Sequence, residues 1–134
     1  MYVNRSSNVN NVNTWINSVF NNVGIIYANE QINLQINEVF VWTTPDSYST
    51  NTETALNQFG AATPTFDGNL AHLIQLANGT LAGIAWVDIL CGPPQFKYGV
   101  SRVQSNFQNY PTYNWTVLVL TLSLIHISEP TRPY

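Results

Sequence analysis

The sequence predicts an α/β fold, and three observations carry the prediction. A long segment near the start repeats its apolar residues at helical spacing. Several later runs are short, apolar and bounded by turn residues, as strands are. The composition is that of a chain with a core: 134 residues, 45% hydrophobic and only 8% charged, its polarity supplied mainly by Asn, Thr, Ser and Gln. At this length the chain is at most one domain, long enough to bury a real core.

The first element is the helix. Val9, Val12, Ile16, Val19, Phe20 and Val23 fall on one face, with caps offered by Ser6 to Asn8, which predicts a helix over 8–27 with Trp15 near its edge. Ile32, Leu34, Ile36, Phe40 and Trp42 then alternate with polar or β-branched neighbours, a strand over 32–43 closed by Thr44-Pro45-Asp46. Glu38 breaks its apolar face, where a bulge or strand end is expected. Residues 51–60 form a short helix around Ala55, Leu56 and Phe59, stopped by Gly60, and Phe66-Asp67-Gly68-Asn69 is turn chemistry.

Ala71 to Leu76 and Gly83 to Leu90 read as an antiparallel pair joined by a loop with Asn78-Gly79. Cys91-Gly92-Pro93-Pro94 forces an irregular excursion before a third strand, Tyr98 to Val103. Val117-Leu118-Val119-Leu120 fits a buried strand, and equally a buried helix opening after Pro111 to Asn114. No internal repeat, linker or charge run divides the chain.

Charge and hydropathy exclude some functions. A net charge of −3 with four basic residues leaves no electrostatic footprint for nucleic acid or an anionic membrane surface. The longest apolar run, Val117 to Ile125, is about half of the ~20 residues needed to span a bilayer. The polar residues after Met1 make no secretory signal. Asn4-Arg-Ser, Asn78-Gly-Thr and Asn114-Trp-Thr match the N-glycosylation pattern, which an Asn-rich chain produces by chance.

Nor do the residues form a catalytic constellation. A zinc site needs three or four ligands in one place, and the two histidines, His72 and His126, lie far apart in sequence. His72 is read as a structural or surface residue of the strand pair. Asp67, Asp88, Glu38 and Glu53 make no acid–base pair and suit solvated or turn-capping roles. Ser101 and Ser105 lie in no nucleophile elbow, and there is no glycine-rich phosphate loop.

Taken in order, Ala71-His-Leu-Ile-Gln-Leu, Gly83-Ile-Ala-Trp-Val-Asp-Ile-Leu-Cys91, Tyr98-Gly-Val-Ser-Arg and Trp115-Thr-Val-Leu-Val-Leu-Thr121 resemble the reprolysin (adamalysin) branch of the metzincin zinc proteases. There, an H-x-x-x-L strand leads to a G-[LI]-A-[YW]-V strand ending at a Cys, then to a strand with a G-V pair. A helix opening H-E-x-x-H-x-x-G-x-x-H follows. The likeness covers residues 1–121 and is nearest to secreted bacterial proteins. It implies the N-terminal part of a metzincin catalytic domain: a twisted mixed sheet with an antiparallel edge strand and flanking helices, incomplete at both ends.

The resemblance also implies roles. Gly83, Ile84, Ala85, Trp86 and Val87 would be the edge strand of the cleft, pairing through its backbone with an extended peptide or protein substrate, with Gly83 allowing close approach. The other reading of this strand is a plain core hairpin. Cys91 would lack the disulfide partner that the family places beyond the active-site helix, as a secreted or cell-surface parent explains.

The departure from the family falls at position 122. In the family His-Glu-Leu-Gly-His or similar follows, two His binding zinc and the Glu acting as general base; here stands Leu122. The run Leu122-Ser-Leu-Ile-His-Ile-Ser-Glu-Pro-Thr-Arg132 resembles a translated transposon-type sequencing adapter, so 1–121 is read as partial peptidase domain and 122–134 as non-native tail. On this reading His126 is no ligand. The parent is a secreted zinc endopeptidase, while this chain is expected to bind no zinc and cleave nothing. The alternative is a non-catalytic secreted binding or adhesion domain, which requires a packed C-terminal segment.

Overall fold

The structure, a computed structural model, describes residues 8–77, 80–87, 92–106, 108–109, 111–112 and 114–128, with side chains through Leu124. Three layers result: a three-stranded sheet lies between two helices on one face and one on the other.

Helix α1 spans Val9–Asn29 and opens on Asn8, whose side chain accepts from the Asn10 N–H at 2.8 Å. It buries Val12, Ile16, Val19 and Val23 of the predicted face together with Tyr27, while Val9 is exposed and Phe20 only partly buried. It ends where Gln31 takes a left-handed conformation (φ 60°). The following segment is a correction. Residues 32–41 form no strand, and only an isolated bridge occurs, at Trp42. The alternation seats Leu34 and Val39 against the core without a ladder partner among the described residues. Helix α2, Thr52–Ala62, is capped by Asn51 and runs through Gly60 rather than stopping there.

The sheet contains β1 (Ala71–Leu76), β2 (Ala82–Ala85) and β3 (Tyr98–Val103) in the order β1-β3-β2. The expected direct pairing of the first two runs is overturned: β3 lies between them, parallel to β1 and antiparallel to β2. The connection from β1 to β2 therefore closes no hairpin, and the predicted turn residues Asn78-Gly79 lie outside the described residues. Strand β2 is also shorter than predicted, and residues 88–90 lie outside the described residues.

Alternation on β3 fixes what each face holds. Tyr98 and Val100 pack with Leu73 against Ala55, Leu56 and Phe59 of α2. Val103 and Ile74 face α1 and the last helix, α3 (Trp115–Ser128). The ambiguous apolar run is thus helical. Asn114 caps it, accepting from the Val117 N–H at 3.3 Å, and the Thr116 hydroxyl donates to the Gln104 carbonyl at 3.1 Å. Helix α3 is apolar on nearly every side, as a helix sandwiched between a sheet and α1 must be. It passes through Leu122 without a break to Ser128, and Ser123 and Leu124 are buried.

Candidate functional site

Of the five predicted substrate-edge residues, Gly83, Ile84 and Ala85 lie on β2, and Trp86 and Val87 continue directly from it. Strand β2 is an outer strand, with no neighbour on its far side among the described residues. Ile84 points into the α2 core. Trp86 and Val87 are exposed, and Trp86 meets Phe96 edge-to-face at 5.2 Å. A free backbone edge thus leads into an exposed apolar end. Cys91 lies outside the described residues.

Gly83 also serves a neighbour the sequence reading did not foresee. A Cβ at this position would stand 2.8 Å from Ser123 Oγ and 3.1 Å from Val119 Cγ1. Its missing side chain lets α3 press against β2. Beside this contact lies a polar chain: His72 Nε2 is 2.9 Å from Ser101 Oγ, which is 3.1 Å from Ser123 Oγ. Ser101 is fully buried, so it meets no substrate. His72 is only partly buried as a residue, yet its Nδ1 is shut away from solvent and has no hydrogen-bond partner among the described residues. Burial lowers its pKa from 6.5 to about 4. His72 is therefore structural, as its strand position suggested. The signal sequence reasoning missed was the small hydroxyl residue inside an apolar run, at Ser101 and again at Ser123.

Leu122 is 44% exposed between buried Thr121 and Ser123, so position 122 points outward from α3. Among the described residues no three His, Cys, Asp or Glu side chains gather as metal ligands. His72 is committed to Ser101, so the described side chains assemble no zinc ligand set. A groove of about 320 Å³ between α1 and the 34–36 segment is lined by Asn17, Asn21, Gln35 and apolar neighbours, with no titratable group to work with. No described helix is long and apolar enough to cross a membrane.

An outer antiparallel strand backed by a buried helix, reached through the order α1, α2, β1, β2, β3, α3, is consistent with a partial metallopeptidase domain. The chain belongs to metallo-peptidase family M12, whose reprolysin model matches residues 1–123. It matches no curated protein.

Proposed function

We propose that this chain carries the substrate-edge portion of a secreted, bacterial-type zinc metalloendopeptidase domain and that it binds extended polypeptide along β2 without cleaving it. The supporting observation is the free outer edge of β2, set against α3 in a chain of family M12. A peptide in extended form would add a strand there by main-chain hydrogen bonds. Hydrolysis in this family needs a zinc-bound water and a Glu base. With Leu122 and Ser123 at the positions where the resemblance puts the first His and the Glu, neither group is supplied. In an amide-resonance titration with an unstructured peptide, the Ala82–Val87 backbone should shift first. Shifts confined to other elements would sink the edge assignment.

A second reading, a non-catalytic binding domain, draws on the burial of Ser123 and Leu124 in an unbroken α3. Re-reading the source nucleic acid across codon 121 separates the two. A His-Glu-x-x-His continuation supports the peptidase and makes 122–134 foreign, whereas a genuinely encoded Leu122 onward supports the binding domain.

A further inference from the structure

The His72, Ser101 and Ser123 side chains join β1, β3 and α3 within the core, and the direction of the hydrogen bond at His72 can be worked out. If Ser101 donated to His72 Nε2, the neutral ring would carry its proton on Nδ1. That N–H would be buried with no acceptor, an arrangement folded proteins avoid more strictly than an idle lone pair. The proton therefore sits on Nε2. Nε2–H donates to Ser101 Oγ, which a second hydrogen bond joins to Ser123 Oγ at 3.1 Å. Nδ1 is left as a bare lone pair, the one basic site on the ring.

We infer that His72 is the positioning residue that seats α3 on the sheet, through the hydrogen bonds from Nε2–H to Ser101 and from Ser101 to Ser123, and that a proton arriving at Nδ1 unseats the helix. The added proton creates both a buried positive charge and an orphaned donor. Among the described residues no neighbouring charge offsets it. Helix α1, β2 and the described side chains of α3 contain no Asp, Glu, Lys or Arg. The Arg102 guanidinium of β3 reaches across the opposite face to the Thr50 carbonyl at 2.8 Å. The titratable group on α1, Tyr27, is a neutral donor to the Thr121 carbonyl. The lowered pKa of His72, caused by desolvation alone, agrees with this geometry.

The sign follows from linkage. With the folded pKa depressed, the contribution of neutral His72 is present above pH 6.5 and is lost as pH falls toward about 4. Between pH 6.5 and 5, above the ordinary carboxylate range, the folding equilibrium constant should fall by up to about tenfold per pH unit. Since α3 backs β2, acid would also loosen the outer edge, although the inference about α3 does not depend on peptide binding.

The test is hydrogen exchange of the α3 amides from pH 7 to 5, corrected for intrinsic rates, on the whole chain and on His72→Gln and His126→Gln. Glutamine at 72 keeps a donor near the Nε2 position and cannot titrate. The expected result is a steep loss of protection in the wild type and His126→Gln and a flat profile in His72→Gln. A flat wild-type profile, or a slope surviving in His72→Gln, overturns the inference. Should His72→Gln not fold, nitrogen NMR of the wild-type ring decides. Protonated Nε2 with bare Nδ1 down to about pH 4 sustains the inference; a proton on Nδ1, or titration near 6.5, rejects it.

Discussion

At the scale of single residues, the interior is held by a few contacts with no slack. Gly83→Ala would force a methyl group into Ser123 Oγ and Val119, an overpacking that typically costs about 1–3 kcal/mol. Chemical denaturation should register that loss. Pairing it with Ser123→Ala should recover part of it, because the closest obstructing atom is gone; strict additivity would show that the contact is not the cause. Tyr27 donates to the Thr121 carbonyl at 3.0 Å, and burial pushes its pKa up to about 12. Its contribution is full below pH 10 and is lost as pH rises toward 12. Tyr27→Phe should cost about 0.5–1.5 kcal/mol at neutral pH and reduce the alkaline loss of stability. An unchanged alkaline profile would assign that loss to other groups.

At the scale of elements, what was legible was local. The spacing from Val12 to Val23 specifies α1 because every contact that helix needs lies on one stripe. The apolar runs of β1, β2 and β3 were equally plain, and so was the outer position of β2 once the family likeness was drawn. Their order in the sheet was not, because pairing is a long-range choice: Leu73 opposite Val100 and Ile84 opposite Val100 satisfy the same local pattern as a β1–β2 hairpin. Residues 32–43 mislead for the same reason, since alternation predicts an extended chain but cannot supply its partner.

The Val117–Leu120 run was undecidable from propensity, and its cap decides it. Two donors are met there, the Val117 N–H by Asn114 Oδ1 and the Thr116 hydroxyl by Gln104. Asn114→Ala should lower thermal stability by about 1 kcal/mol, while the more conservative Asn114→Asp should keep most of it. Equal losses from both changes would mean that the cap matters little. The His72–Ser101–Ser123 chain was not legible as a unit, because a hydroxyl residue inside an apolar run marks Ser101 and Ser123 singly, while packing alone brings them together with His72.

At the scale of the whole molecule, the metal question turns on ligand count and spacing. The sequence holds two histidines and one cysteine, and one of those histidines is committed inside the core. Purified chain dialysed against zinc should therefore retain none at one-to-one stoichiometry by elemental analysis, and a tight single site would mean that the donor set has been misjudged. The same geometry indicates how a partial site could be built. Position 122 points outward, and α3 stays helical through 128, so position 126 follows one turn later along the same helix. Leu122→His would create the i, i+4 histidine pair that zinc peptidases place on such a helix. Two ligands are fewer than a closed site needs, so binding should be weak and abolished by a further His126→Gln. Calorimetry with zinc on the wild type, Leu122→His and the double variant reads this directly. Heat appearing only in Leu122→His would show that α3 offers the metal-bearing face expected of its family, whereas silence in all three would place that face elsewhere.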